Sequence, residues 1–414
     1  MSWLSGNLAR ETGIAKSLVE RFSYINLDER GGAVDPAGPL RLLWLVAHGH
    51  AKSRMDLARA LGLPQSTVSV RTQALMSAGV LSESGEGRSA GGRRPKLLSV
   101  NTEFGHVWGA DVGSRHVRIG ALDIAGNLLE VHERPLDISQ EPRELVAGLA
   151  AAVRDVMADA DCPGRALGLG VAFPGPVDVD AGTITLPSRM PGWRGFAVRD
   201  ALAEHFELPV FVDNDANLLA LGESVAGAPG RTLLVVKAGT GIGSGIVLGG
   251  ELYRGRAGVA GDISHVRVPA AEDRPCTCGN RGCLEVVASG AALVGQLRAQ
   301  GLNLETTAQV MATAEDGHPE ATTAVRRAGL RLGEVLATVV NFSNPDEVLL
   351  GGALSGSEAF VAAVRGALYE RCLPLATREL RIDRVRFGAD AGLCGAGALA
   401  LDAVFEQAIK RSGR

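Results

Sequence analysis

Two glycine-rich stretches determine which fold this chain can adopt: ADVGSRHVRIGALD at 110–123 and KAGTGIGSGIVLGG at 237–250. In each stretch an apolar run is followed by a turn of small residues and then by a second apolar run. Each stretch therefore predicts two antiparallel strands joined by a tight turn. Strands and helices alternate after both stretches, and this order predicts two α/β lobes with a cleft between them.

The elements expected in the two lobes cover nearly all of the chain after residue 100. The first lobe is expected to contain strands at 106–113, 116–124, 127–135, 166–173 and 209–213, with helices at 141–160 and 198–207. The second lobe is expected to contain a helix starting at 214, strands at 232–239, 244–250 and 346–350, and helices at 291–300 and 319–342. A last helix at 395–409 returns to the first lobe. We therefore expect lobes at 101–213, completed by 395–414, and at 214–394.

A different pattern precedes the lobes. Helix-like segments at 40–47, 53–61 and 65–77 lead into a hairpin at 80–100 with a tip rich in Gly and Arg. This is the element order of a winged helix-turn-helix. It predicts a DNA-binding domain at 38–100, preceded by an N-terminal extension at 1–37.

The third of these helices, QSTVSVRTQALMSAG at 65–79, has the composition of a recognition helix. Short hydroxyl and amide side chains near its start, with an Arg, can reach base edges and phosphates. An ordinary polar helix face is the alternative, but the arginines at the hairpin tip suit phosphates or a narrow minor groove and favour DNA. The residues expected to contact double-stranded DNA are Gln65, Ser66, Thr67, Ser69, Arg71, Arg88, Arg93 and Arg94.

Composition and charge agree with this division. The chain has 414 residues, of which 46% are hydrophobic and 21% charged, which excludes a mainly disordered protein. Residues 38–100 carry nine Lys or Arg against three Asp or Glu, although the whole chain has a net charge of −4. No apolar run reaches the roughly 18 residues of a membrane span, and the first residues do not resemble a signal peptide. We therefore expect a cytoplasmic protein with no membrane partner.

Three of the six cysteines lie within eight residues of one another. Cys276, Cys278 and Cys283, with His265 ahead of them, supply three thiolates and one imidazole. Such a set is typical of a structural Zn²⁺ site and predicts one ion per chain. Free thiols, or one disulfide and one thiol, are the alternative, which a reducing compartment disfavours.

The ordered motifs of the chain resemble those of the ROK family of repressors, uncharacterised reading frames and sugar kinases. Besides the hairpin module and the two opening stretches, they are VAFPGPVD at 171–178, MPGW at 190–193, VDNDANLLALGE at 212–223, AGDISH at 260–265, CTCGNRGCLE at 276–285 and DEVLLGGAL at 346–354. The resemblance runs from about residue 38. It implies a winged helix-turn-helix followed by an actin-like, ribonuclease-H-like two-lobe fold of the sugar-kinase type, and it places the metal at the same four residues.

The resemblance also implies a sugar site in the cleft. Asn214 and Asp215 match the family's Asn-Asp pair, whose carboxylate is the general base of the kinases and binds sugar without chemistry in the repressors. A local interpretation of Asp215, as a carboxylate at a helix N-terminus, is also open. The family pattern adds Asp262, His265 and Glu285 as ligand contacts, with Asp262 in place of a family Glu.

Arg189 stands where the family tends to have Asn. A guanidinium prefers carboxylate or phosphate, so this residue suggests an acidic or phosphorylated sugar, unless it is a solvated surface Arg.

Two glycine-rich turns bear on whether the chain can use ATP. The turn at 239–243 is equally a phosphate cradle or a simple tight turn. The family's kinases have Asp-x-Gly-Gly-Thr in the first loop, whereas this chain has Asp111-Val112-Gly113-Ser114-Arg115. Arg115 in place of Thr argues against ATP use.

We therefore expect a non-enzymatic regulator, a repressor of carbohydrate genes that senses a sugar. It should bind an inverted-repeat operator as a homodimer or a dimer of dimers. Two alternatives stay open. One is an active sugar kinase with an appended DNA-binding domain. The other is a ligand-independent DNA-binding protein that its α/β body dimerises.

Overall fold

The computed structural model describes residues 39–86, 94–185, 190, 192–227 and 230–412. The N-terminal extension, most of the hairpin tip and Arg189 lie outside the described residues.

Three helices and a two-stranded antiparallel hairpin form the N-terminal module. They are α1 Pro39–Ala47, α2 Arg54–Leu61, α3 Gln65–Ser77, β1 Leu81–Glu86 and β2 Lys96–Val100. The side chain of Ser53 accepts a hydrogen bond from the Asp56 amide and caps the start of α2. Gly62 ends that helix at a φ of 65°, which permits the sharp turn into α3. The order is the one expected from the sequence.

The first lobe contains a five-stranded mixed sheet. Its strands are β3 Gly105–Val112, β4 His116–Asp123, β5 Leu128–Pro135, β6 Arg165–Phe173 and β9 Val210–Asn214, in the spatial order β5-β4-β3-β6-β9. Helices α4 Pro142–Asp159 and α5 Val198–Ala203 connect them, and a short hairpin, β7 Val177–Asp178 with β8 Thr183–Ile184, follows β6. β3 to β5 are antiparallel, whereas β6 and β9 join them in parallel.

The second lobe repeats this topology. Its sheet contains β10 Leu233–Ala238, β11 Ile242–Leu248, β12 Glu251–Tyr253, β13 Glu347–Gly351 and β14 Arg381–Arg384, in the order β12-β11-β10-β13-β14. β10 to β12 are antiparallel, and β13 and β14 add in parallel. The outer helices are α7 Glu285–Ala288, α8 Gly290–Ala299, α9 Thr307–Glu315, α10 Pro319–Ser343, α11 Glu358–Arg371 and α12 Pro374–Thr377.

Two helices, α6 Asp215–Ala226 and α13 Ala391–Ser412, pack against each other between the sheets. Their backbones approach so closely that a Cβ added at Gly395 would lie 1.8 Å from the carbonyl oxygen of Leu218. Only glycine fits there.

One segment corrects an expectation about membranes. Gly388–Phe405, most of which is α13, is apolar and long enough to span a bilayer, although the sequence was expected to contain no such run. The segment is 72% buried inside the protein, which is how a core helix behaves.

The N-terminal module shares a hydrophobic core with the two lobes. Leu42, Leu43 and Trp44 of α1 belong to the same buried cluster as Leu401 and Phe405 of α13. The module is therefore packed onto the helix that fills the centre of the body.

Candidate functional site

A cavity of about 690 Å³ lies where the central strands of the two sheets end. Both lobes line it, because β3 and β10 point their carboxyl ends at the same space. Most of the residues predicted to contact a ligand line this cavity: Asn214, Asp215, Asp262, His265 and Glu285. The sixth, Arg189, lies outside the described residues. This volume can hold a monosaccharide and leaves room for a larger derivative.

Asn214 and Asp215 are held at the start of α6. The Asn214 Oδ1 accepts hydrogen bonds from the amides of Ala216 and Asn217 at 3.0 and 3.1 Å, so Asn214 is the N-cap of the helix. Its Nδ2 donates to the carbonyl of Gly175 at 2.9 Å. Asp215 Oδ1 accepts from the Ala216 amide at 2.9 Å, which leaves Oδ2 directed at the cleft. Asp215 therefore does lie at the N-terminus of the helix, as its local interpretation expected, but the capping side chain is that of Asn214.

Sequence reasoning missed Lys237, which lies between two carboxylates in this cleft. Its Nζ is 3.1 Å from Asp111 Oδ1 and 3.1 Å from Asp215 Oδ2. Burial lowers the pKa of Lys237, but the two carboxylates outweigh it and hold the pKa above its usual value. The residue is therefore a fixed positive charge inside the cavity. The available signal was a Lys at the end of the apolar run LLVV.

The two glycine-rich turns meet across the cleft. Ser114 Oγ lies 3.2 Å from Thr240 Oγ1. The Gly239 and Thr240 carbonyls accept hydrogen bonds from the first amides of α8, at 2.8 and 3.0 Å. Arg115 is exposed and is absent from the residues that line the cavity. Arg115 was expected to hinder nucleotide binding, but its side chain lies outside the cavity. The positive charge inside the cavity is that of Lys237.

The remaining carboxylates line the opposite wall. Glu285 is buried, and its Oε2 accepts a hydrogen bond from the Ile242 amide at 2.9 Å. This contact ties α7 to the start of β11. Asp262 is exposed to the cavity and accepts from the amide and hydroxyl of Ser264. Carboxylate oxygens of this kind accept hydrogen bonds from the hydroxyl groups of a polyol.

Beside this wall the four predicted metal ligands converge. The ligand atoms of His265, Cys276, Cys278 and Cys283 all lie within 4.8 Å of one another. Cys278 and Cys283 have their sulfurs 3.7 Å apart, and Cys276 Sγ is 3.6 Å from His265 Nδ1. A tetrahedral ion with metal–sulfur bonds of about 2.3 Å places its sulfur ligands about 3.8 Å apart. The donor set and its spacing thus fit a tetrahedral divalent ion and do not fit a disulfide.

Two features connect this cluster to its surroundings. Burial, with the neighbouring thiols, raises the pKa of the Cys283 thiol to about 12, so a metal ion would bind in exchange for protons. His265 also lines the cavity, and Nδ1 is the nitrogen nearest the thiols. Its Nε2 is then the nitrogen available to a cavity ligand.

The helix α3 presents most of its predicted DNA contacts to solvent. Gln65, Ser66 and Ser69 are exposed, whereas Thr67 and Arg71 are partly buried. Burial lowers the pKa of Arg71 below its usual value. Sequence reasoning missed Val70, which is 53% exposed on this helix and offers an apolar contact of the kind that thymine methyl groups accept.

The hairpin base carries part of the predicted basic surface. Arg94 is exposed and lies 3.9 Å from Glu86 across the hairpin. Arg88 and Arg93 lie outside the described residues. Arg54 of α2 connects α3 to the hairpin, because it donates hydrogen bonds to Thr72 of α3 and to Glu83 of β1, both at 3.0 Å.

The fold and the cleft define a two-lobed protein of the sugar-kinase type that carries a helical module with a β-hairpin at its N-terminus. The chain matches the ROK family over residues 107–403 and belongs to that family.

Individual relatives and solved structures agree with this assignment. The xylose repressor of Caldicellulosiruptor bescii is 30% identical over 348 residues, which cover 80% of this chain and 87% of the repressor. A ROK transcriptional regulator described as a homologue of the Escherichia coli MLC protein matches 91% of this chain and 98% of its own, with a TM-score of 0.72 and 23% identity. A ROK glucokinase from Streptomyces griseus, solved with glucose and AMPPNP, matches 70% of this chain and 98% of its own, with a TM-score of 0.63 and 27% identity.

The regulator matches more of this chain than the glucokinase does. A match over 91% of the chain cannot be supplied by residues 101–414 alone, so the regulator shares the fold of the N-terminal module as well. The glucokinase covers a share of the chain that the two lobes can supply.

Proposed function

We propose that this protein is a sugar-responsive transcriptional regulator, a repressor of carbohydrate genes. The observation that carries the proposal is that one packed molecule combines two features: a cavity between two lobes whose lining includes several carboxylates, and a helix–hairpin module with an exposed polar helix. The relative named as a xylose repressor supports the same combination.

The ligand class follows from the cavity lining. Asp215, Asp262 and Glu285 offer carboxylate oxygens, which accept hydrogen bonds from the hydroxyl groups of a sugar. Arg189, which stands where the family tends to have Asn, adds a guanidinium, and this extends the ligand class to sugar acids and sugar phosphates.

The module at 38–100 is proposed to bind the major groove with α3 and the backbone or minor groove with the hairpin. The contacts would come from the residues named for α3 and from Arg88, Arg93 and Arg94. A winged helix-turn-helix reads an inverted repeat as a dimer, so we propose a homodimer or a dimer of dimers in the cytoplasm. Residues 101–213 with 395–414, and residues 214–394, would then form the two lobes that sense the ligand.

The four-residue cluster is proposed to hold one Zn²⁺ per chain through His265, Cys276, Cys278 and Cys283. When bound, the ion supplies structural stability to the loop, because a closed set of four protein ligands leaves no position for substrate. His265 would connect the loop to the cavity.

A sugar kinase is the second candidate, and the likeness to a glucokinase together with Asp215 favours it. An ADP-release assay with D-xylose, D-glucose and N-acetyl-D-glucosamine separates the two functions. Turnover on any of these sugars would establish the kinase.

The regulator is tested by measuring the operator dissociation constant by fluorescence anisotropy, with and without a sugar that calorimetry has shown to bind. We expect the sugar to change this constant. Replacing Arg93 and Arg94 together by Gln should weaken binding to all DNA sequences and reduce its salt dependence, because fewer phosphate contacts release fewer counterions. If a sugar that binds leaves the operator dissociation constant unchanged, the result would favour the remaining alternative, a ligand-independent protein in which the α/β body only dimerises the DNA-binding modules.

A further inference from the structure

The position of Lys237 connects the centres of the two lobes. β3 is the central strand of the first sheet and ends near Asp111, and β10 is the central strand of the second sheet and ends near Lys237. The ammonium group of Lys237 lies 3.1 Å from Asp111 and 3.1 Å from Asp215. Its side chain is 22% exposed, at the end of a strand whose preceding four residues are buried.

The two carboxylates are held in place by contacts other than Lys237. A Cβ added at Gly392, in the first turn of α13, would lie 2.2 Å from Asp111 Oδ2, so the carboxylate rests against that helix N-terminus. Asp215 is fixed by the Asn214 side chain and the Ala216 amide at 3.1 and 2.9 Å. We therefore expect both carboxylates to face the same space when the ammonium is removed, Asp215 through its hydrogen bonds and Asp111 through its packing against Gly392.

Two carboxylates that face one partly buried space need a cation between them. A divalent ion such as Mg²⁺ or Mn²⁺ would satisfy them with oxygen ligands and retained waters. An ammonium within hydrogen-bond distance of both occupies the same space and supplies the positive charge itself. A metal ion and the Lys237 side chain cannot be there together.

We propose that Lys237 is a specificity-determining residue, an internal cation that excludes a divalent metal ion, and with it a metal–nucleotide complex, from the cleft. The cavity then accepts a ligand that needs no metal. This inference rests on the proposed function, since it explains how a kinase-like cleft serves as a sensor.

The test is a Mn²⁺ titration of the full-length, zinc-loaded protein, followed by the EPR signal of free Mn²⁺. The variants are Lys237→Met, which keeps an unbranched side chain one atom shorter and removes the charge, and the same variant combined with Asp111→Asn. Lys52→Met is the control, because Lys52 is exposed in the N-terminal module. We expect Lys237→Met to bind one Mn²⁺ per chain at least tenfold more tightly than the wild type. Adding Asp111→Asn should abolish the gain, and Lys52→Met should match the wild type.

Three results would overturn the proposal. The first is a folded Lys237→Met protein, with wild-type zinc content, that binds Mn²⁺ no better than the wild type. The second is a gain that survives Asp111→Asn. The third needs no Lys237 variant: the wild type itself binds Mn²⁺ tightly and loses it on Asp111→Asn. Operator binding of the wild type with and without sugar tests the proposed function separately, so either can fail alone.

Discussion

The side chain of Asp215 has three roles. It accepts a hydrogen bond in the first turn of α6, it forms an ion pair with Lys237, and it lines the cavity. The hydrogen bond in α6 needs only an oxygen acceptor, which an amide also provides, whereas the ion pair and the contact with a ligand depend on the negative charge. Substitution of this residue can therefore separate folding from ligand recognition.

We expect Asp215→Asn to keep the fold, the zinc content and the sugar-free operator affinity, but to bind sugar about 10- to 100-fold more weakly. The reason is the loss of a charged hydrogen-bond acceptor, worth about 1.5–3 kcal/mol. Lys237 keeps Asp111, so no ammonium is left unpaired. Calorimetry and the operator dissociation constant measure the two effects. Asp155→Asn, an exposed residue of α4, is the matched control. A sugar response equal to that of the wild type would exclude Asp215 from the ligand site.

The metal cluster gives a second prediction for a single residue. Cys278→Ser should remove most of the zinc and loosen residues 265–285, because three remaining ligands bind the ion far more weakly. Cys278 is only partly buried, so packing losses should be small by comparison. Metal content by mass spectrometry of metals and hydrogen exchange across the loop measure the effect. Cys162→Ser, a partly buried thiol outside the cluster, should keep the ion. A full zinc content in Cys278→Ser would contradict the assignment.

The sequence predicted which side chains converge better than it predicted their partners. The convergence of His265, Cys276, Cys278 and Cys283 follows from their spacing in the chain, because a short loop brings its own side chains together. Lys237 could not be found in this way, because its role depends on ion pairs with Asp111 and Asp215, and Asp111 in particular lies far away in sequence. Val70 was missed for a related reason: an apolar residue in a helix is expected to face the core, and only the packing shows otherwise.

Helix α6 runs from the cavity to the N-terminal module. Its N-terminal end carries Asp215, and its C-terminal end meets Arg41 of α1, about 18 Å away for 12 helical residues. Arg41 donates to the carbonyls of Ser224, Val225 and Gly227. Burial lowers the pKa of Arg41 to about 10, and the partly negative helix end stabilises the guanidinium.

We therefore expect Arg41→Lys to leave sugar binding unchanged and to reduce the effect of sugar on the operator dissociation constant at least threefold. A single ammonium cannot donate to three carbonyls in the geometry of a planar guanidinium, so movement of α6 would be transmitted less completely. Calorimetry and anisotropy on the same preparation measure both quantities. Arg59→Lys is the control, because Arg59 is highly exposed on α2. A wild-type response in Arg41→Lys would show that the coupling runs elsewhere.

The elements themselves were predicted well where their pattern is local. The helix expected at 65–77 is α3, and the helix expected at 141–160 is α4 at Pro142–Asp159. The pattern of the sequence did not predict α9, α11 and β14, nor the shorter elements β7, β8, β12, α7 and α12. β14 has four residues and is polar at both ends, so it carries little periodicity and depends on β13 for its formation. The last helix begins at Ala391, four residues before its predicted start, because Gly392 and Gly395 disfavour a helix in sequence but are required by close packing.

On the scale of the whole molecule, the two lobes have the same sheet topology, and we expect a ligand to act on the cleft between them. The contact between Ser114 Oγ and Thr240 Oγ1 closes its mouth, and the ion pair of Lys237 with Asp111 crosses it. A sugar that touches both walls favours this closed arrangement. Closure changes operator affinity only by the difference in sugar affinity between the two states, for which about 1–3 kcal/mol is ordinary.

A disulfide across the mouth of the cleft should have the same effect on operator binding as the sugar. The Oγ atoms of Ser114 and Thr240 are 3.2 Å apart, so Ser114→Cys with Thr240→Cys brings two sulfurs close together at the mouth of the cleft, and mild oxidation should join them. We expect the oxidised variant to have the operator dissociation constant of the sugar-saturated wild type, shifted about 5- to 150-fold from the sugar-free value. Reduction by dithiothreitol should restore the sugar response. Ser114→Cys alone, treated with the same oxidant, controls for oxidation of the native thiols. If the oxidised double variant binds the operator as the sugar-free wild type does, closure of the lobes is not the state that the sugar selects.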